Sequence, residues 1–269
     1  MIRFAANISL LFTEVEFPQR FAAAARAGFL GVEFQFPYAF AKELLKKELL
    51  TSGLTPVLHN LPAGDWAAGE RGIACHPDRV AEFEAGVGQA LEYATTLGCA
   101  QLNCLAGRLP AGVERQRAVD TLVRNLRFAA PRLADEGIRL LIEPVNTWDV
   151  ERFLVSRSDQ ALEIIDAAAC GNLFLQYDVY HMFRMEEQVT AAIDAALPRI
   201  GHIQIADHPG RHEPGTGEID FRSLFRRLSA RGYPGWIGCE YLPAGTTEAG
   251  LGWRRELVPQ SASAETPLI

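Results

Sequence analysis

The stretch Ile138–Asn146, IRLLIEPVN, decides how this chain reads. A short, nearly unbroken apolar run opens after Gly137 and closes at Pro144, the pattern of a strand covered on both faces, as in a parallel sheet. Pro144 keeps Glu143 out of the helical region, so this carboxylate is expected where the strand gives way to a loop. One glutamate in such a place is either an ordinary strand end or a working group at the mouth of a barrel.

Outward from this stretch, strand-like and helix-like segments alternate along the chain. Strands are expected at Phe4–Leu10, Gly31–Phe36, Leu54–Leu58 and Ala100–Leu105 before it, and at Leu173–Asp178, Ile200–Ala206 and Trp236–Glu240 after it. The spacing predicts helices over Phe17–Gly28, Ala39–Thr51, Arg79–Leu97 and Val113–Glu136, with Pro131 kinking or splitting the last of these. A further helix runs through Ala169 with Ser156 or Ser158 as its cap. Shorter helices follow at Glu187–Ala196, Phe221–Arg231 and Glu248–Glu256. Eight strand–helix pairs predict an α/β fold, a single-domain (β/α)₈ TIM barrel over residues 1–257 with a disordered tail at 258–269. A doubly wound open sheet is the weaker reading, because no GxGxxG opens the first helix.

Composition narrows the function classes. The 269 residues are 48% hydrophobic and 22% charged, with a formal net charge of −7, which disfavours a nucleic-acid partner. Cys75, Cys99, Cys104, Cys170 and Cys239 form no CxxC pair and read as reduced thiols of a cytoplasmic protein. No apolar run approaches the roughly 18 residues of a membrane span. The N-terminal MIRFAANISLLF has one basic residue and is interrupted at Asn7 and Ser9, with Glu14 and Glu16 close behind, against a signal peptide. A homo-oligomer is left open.

Four of the later strands end in oxygen-bearing side chains, Glu143, Asp178, Gln204 and Glu240, spaced 35, 26 and 36 residues apart. In a barrel these ends converge on one C-terminal mouth, where active sites of this fold lie. Three carboxylates and an amide carbonyl facing one another call for a cation, and an all-oxygen set favours Mg²⁺ or Mn²⁺ over zinc. Any one of these acids alone reads equally well as a solvated loop residue; the four together at matched ends do not.

The order Glu, Asp, Gln, Glu on the fifth to eighth strands resembles the xylose-isomerase-like superfamily. The segments RFAANISLLF, GVEFQFPY, HNLPAGDWAAGERGIACHP, LIEPVN, QYDVYHM, GHIQIAD, RHEPGTGEI and WIGCEY resemble the hydroxypyruvate isomerase family, over nearly the whole chain except the tail. That resemblance implies interconversion of hydroxypyruvate and 2-hydroxy-3-oxopropanoate. It implies Glu143 and Glu240 as proton acceptor and donor, and these two with Asp178 and Gln204 as the metal ligands. The residues support the same chemistry. Moving a carbonyl between adjacent carbons needs one proton removed and one returned, and a metal to offset the enediolate charge.

A small 2-oxo acid substrate also needs a cationic clamp. The candidates are His59, Arg71, His181, His208 and Arg211, with Arg211 and Arg71 favoured because guanidinium grips a carboxylate with two bonds. His202 reads as packing or making a structural hydrogen bond, and Asp149 is left outside the site. The long connection Leu61–Pro77 reads as a water-excluding lid anchored by Trp66, or as a static loop on the barrel rim. Rival activities on the same scaffold are a 2-oxo-tetronate isomerase, a ketose 3-epimerase and an inosose-dehydratase-like lyase. A DNA endonuclease would require a histidine-rich multi-zinc cluster and a basic groove, and the chain has six histidines and excess acid.

Overall fold

The computed structural model describes residues 2–185 and 188–258. Eight parallel strands form a closed barrel in sequence order: β1 (Arg3–Asn7), β2 (Gly31–Phe34), β3 (Thr55–Asn60), β4 (Gln101–Leu105), β5 (Arg139–Glu143), β6 (Leu173–Asp178), β7 (Ile200–Ile205) and β8 (Trp236–Cys239). β8 pairs back onto β1, so among the described residues no strand of the barrel has an unpaired edge. The outer helices are α1 (Phe17–Arg26), α2 (Lys42–Ser52), α3 (Val80–Leu97), α4 (Arg115–Ala134), α5 (Ser158–Ala168), α6 (Val179–Met185), α7 (Val189–Ala196), α8 (Phe221–Ala230) and the short α9 (Trp253–Glu256).

Several boundaries differ from the sequence expectation, each for a local reason. β1 stops at Asn7 and not at Leu10, because the Asn7 side chain accepts the Ser9 N–H at 3.1 Å while its carbonyl takes those of Leu10 and Leu11. α4 is one continuous helix with Pro131 inside it, neither split nor ended there. Neither Ser156 nor Ser158 holds the N-cap of α5; that position falls on Arg157. Asp178 leads straight into α6, a helix the sequence reading missed, and the last helix is a 3₁₀ turn, Ala249–Gly252, followed by α9. The expected tail begins at Val258, which packs against the core; residues 259–269 lie outside the described residues.

One large apolar cluster fills the space between the barrel and its helices. A second, small one (Ala5, Val57, Leu58 and Leu141, with Phe174 and Trp236 against it) plugs the lower interior. Below it Arg3 lies over the Trp236 ring and Arg139 over that of Phe174. Above it the interior turns polar: Asn7 is in register with Glu33, Asn60 with Asn103, and Asp178 with Gln204. Gly238 makes room for this layer, since a Cβ there would lie 2.2 Å from Glu33 Oε2.

Candidate active site

Glu143 is the last residue of β5 and Asp178 the last of β6; Gln204 is next to last on β7, and Glu240 follows directly on β8. All four are buried. Ligand atoms of Glu143, Asp178, Glu240 and His181 lie within 4.8 Å of one another, so these four could hold a metal ion. A cavity of about 110 Å³ opens beside them, with Gln35, Asn60, Trp66, Arg71, Glu143 and His181 among its lining residues, together with Arg211 and Glu240.

Each carboxylate is held by several donors, of which only Arg211 and His181 are among the sequence candidates. Asn103 Nδ2 donates to Glu143 Oε2 at 2.8 Å and to Asn60 Oδ1 at 3.2 Å. Asn7 Nδ2 and Gln35 Nε2 donate to Glu240 Oε1 at 3.1 and 3.2 Å, and Arg211 Nη2 to Glu240 Oε2 at 2.7 Å. Asp178 Oδ1 accepts the backbone N–H of Tyr180 and His181, in the first turn of α6. For Asn7 and Asn103 the advance signal is a polar residue inside an apolar strand, RFAAN and QLNCL.

The electrostatics follow from this crowding. Burial, then the charges of Glu240 and Asp178, pushes Glu143 well above the usual carboxylate range. Burial raises Glu240 to about 7, with Arg211 opposing and Asp178 and Glu33 adding to the shift. Burial works against the Arg211 charge, but Glu240, Asp178 and Glu143 outweigh it and raise its pKa. Burial lowers His181 to about 4, so its imidazole is neutral at physiological pH.

These residues fit a hard divalent ion. Asp178 Oδ2 is buried with no hydrogen-bond partner, 3.8 Å from both His181 Nε2 and Arg211 Nη2. Such an orphaned carboxylate oxygen beside two further carboxylates is costly unless a cation approaches it. Gln204 is oriented by its neighbours: its Nε2 donates to Glu33 Oε1 at 2.7 Å, and its Oε1 accepts from Gln176 Nε2 at 2.6 Å and keeps a second lone pair. Glu33 also meets His202 Nε2 at 2.6 Å and accepts from Asn7 at 3.0 Å, so His202 makes the structural hydrogen bond expected of it.

The expected clamp residues divide. Arg71 and Arg211 both reach the cavity. Arg71 lies 4.0 Å over the Trp66 ring and donates to the Trp66 and Glu70 carbonyls. His181 reaches the cavity too. His59 does not line it: it is buried, stacked on Phe34, with burial lowering its pKa to about 4, while its neighbour Asn60 takes the wall. His208 packs against the rings of Tyr180 and Phe183, away from the cavity lining. Asp149 is paired with Arg184 and Tyr180 behind the wall.

Comparison with known proteins agrees with this geometry. The profile of the xylose isomerase-like TIM barrel family matches residues 21–257. The chain is 53% identical to hydroxypyruvate isomerase of Escherichia coli K12, covering 94% of this chain and 98% of that one. It is 46% identical to 2-oxo-tetronate isomerase of Cupriavidus necator, over 94% of this chain and 97% of that one. A crystal structure described as AP endonuclease, family 2, from Brucella melitensis superposes with a TM-score of 0.93 at 42% identity, covering 96% of this chain and 100% of that one. With a barrel of this closure, an acid cluster of this make-up and identity running along almost the whole length, the chain belongs to the hydroxypyruvate isomerase family within the xylose isomerase-like TIM barrels, and it is an isomerase.

Proposed function

We propose that the chain interconverts hydroxypyruvate and 2-hydroxy-3-oxopropanoate, with Glu143 and Glu240 moving the proton. The observation that carries this reading is the pair of buried glutamates on one small cavity, both with raised pKa, flanked by Arg71 and Arg211. One carboxylate takes a proton from C3 of hydroxypyruvate, leaving an enediolate, and the other delivers a proton to C2. The C3 hydroxyl proton passes to the C2 oxygen, so no co-reactant is consumed. Mg²⁺ or Mn²⁺, with Glu143, Asp178, Gln204 and Glu240 as the proposed ligands, would offset the charge that develops on the two substrate oxygens. Arg211 and Arg71 are the proposed clamp for the substrate carboxylate, and Trp66 walls the cavity against water.

A second reading keeps the chemistry and lengthens the substrate by one carbon, and the 46% identity to a 2-oxo-tetronate isomerase favours it. Both identities exceed that of the Brucella structure, and an endonuclease needs several histidine-rich zinc sites. Among the described residues the acid cluster includes one histidine. Parallel turnover of hydroxypyruvate and 2-oxo-tetronate with Mg²⁺ or Mn²⁺, products identified, decides between the two isomerases. A higher kcat/KM on hydroxypyruvate is expected; preference for the four-carbon acid would overturn it.

A further inference from the structure

His181 is placed so that it could act in two incompatible ways. One of its nitrogens lies close enough to the acids Glu143, Asp178 and Glu240 to join a metal's ligand set, and its ring also lines the cavity. A ring nitrogen that carries a proton cannot ligate, whereas one that lacks a proton cannot donate to substrate. The tautomer therefore decides the role, and the loop after β5 contains the groups that set it.

Asn146 is fully buried and lies beside the ring. Its Oδ1 accepts the backbone N–H of Trp148 at 3.0 Å and of Asp149 at 2.9 Å, a turn that fixes which end of the amide is oxygen. The amide nitrogen is thereby left to donate. It reaches Asp149 Oδ2 at 3.0 Å and His181 Nδ1 at 2.6 Å. The backbone N–H of Asn146 also points at Nδ1, at 3.4 Å, and a backbone N–H can only donate. Two donors aimed at Nδ1 require a lone pair there, which puts the ring proton on Nε2. Asp149 is itself held by Arg184 and by the Tyr180 hydroxyl, so the amide has a braced partner on its other side.

We propose that Asn146 is a positioning residue that locks His181 as the Nε2–H tautomer, making it a hydrogen-bond donor to a substrate oxygen and keeping it out of the ion's ligand set. The tautomer rests on the hydrogen bonds alone; the donation to substrate rests on the proposed isomerase reading of the cavity. The lock gives the site a specificity for ligand type, because with His181 excluded the side chains offered to an ion are oxygens only, which suits Mg²⁺ or Mn²⁺ over zinc.

Long-range proton–nitrogen correlation spectra of the ¹⁵N-labelled full chain, with and without Mg²⁺, read the tautomer directly. The His181→Asn variant identifies the signals by their loss. An imidazole protonated at Nε2 is expected; protonation at Nδ1 overturns the assignment. Asn146→Asp replaces the donor with an acceptor and should move the proton to Nδ1, with Asn146→Ala giving a mixture of the two forms. A ring still wholly Nε2–H in both variants removes Asn146 from the mechanism. Pulsed electron paramagnetic resonance of the Mn²⁺-loaded wild type should show no directly bound nitrogen, and a bound imidazole would end the claim of exclusion. None of these readouts uses turnover, so inactivity on both acids would count against the proposed reaction and leave the lock standing.

Discussion

Glu143 and Glu240, the proposed proton-transfer pair, differ from the acids on the helices in being buried, which raises their pKa. Replacing either by glutamine keeps the shape and the Asn103 or Asn7 contact but removes the base, and kcat should fall by about 10²–10⁴ with little change in Tm. Solvent deuterium uptake into product reports this step, and full-rate uptake in both single variants would remove these residues from proton transfer. Arg211 lies on Glu240 and Asp178, and lysine in its place offers one charged contact where guanidinium offers two. Arg211→Lys should raise KM on the order of tenfold, the loss of about 1.4 kcal/mol of binding. A KM unchanged in that variant would move the clamp to Arg71.

At the scale of elements, the loop 207–220 after β7 is organised by a single buried aspartate. Asp207 Oδ1 accepts the N–H of His208 and Ile219, and its Oδ2 those of Gly215 and Gly217. Asp207→Asn replaces one acceptor oxygen with a donor, should cost about 1–3 kcal/mol of stability, and lowers kcat/KM by misplacing Arg211. Gly217 is bound to this arrangement, since a Cβ there would lie 2.1 Å from the His208 carbonyl oxygen. The connection Leu61–Pro77 is firm in its second half, where Cys75 bonds to Ala106 and Asn125 holds the Ala74 carbonyl. Its exposed tip carries Trp66, packed on Phe36, and Arg71. If the tip is a lid, saturating hydroxypyruvate should slow protease cleavage between Asp65 and Glu70; cleavage at the same rate with and without substrate would make it a static rim.

For the whole molecule, the crowded acids should tie stability to pH and to an ion at the proposed site. Without an ion, Glu143 and Glu240 bind protons more tightly folded than unfolded. The stability that Glu240 confers in this way is fully present below about pH 4.5 and is lost as pH rises through about 7, and Glu143 acts in the same direction. The metal-free chain should therefore lose Tm as pH rises from about 4.5 through about 7. Saturating Mn²⁺ should reverse the loss, with affinity climbing by up to about tenfold per pH unit for each proton displaced. Calorimetry across that range checks both; a flat Tm and pH-independent affinity would mean that these acids are not the ion's ligands. Chelation should abolish isomerisation, and Mg²⁺ or Mn²⁺ should restore it. No helix among the described residues is long and apolar enough to cross a membrane, and all five cysteines are free, so reducing agent should leave Tm unchanged.

The strands and most helices were legible in the sequence because each follows from short-range rules: an apolar run between a glycine and a proline, a 3.6-residue period, a glycine past a helix end. Length and alternation then implied the barrel, and strand-end acids at one-unit spacing implied a common mouth. What no local rule could show is which polar side chains meet across strands distant in sequence. Asn7 and Glu240 stand 233 residues apart and share a hydrogen bond only because β8 closes onto β1. His59 and Asn60 are neighbours in sequence, yet only closure decides that Asn60 reaches the cavity while His59 stacks behind it on Phe34. The sequence by itself determined the elements and the acids they carry. Only the tertiary structure decided the partners of those acids, because burial, charge repulsion and hydrogen-bond direction depend on distances that exist once the barrel is closed.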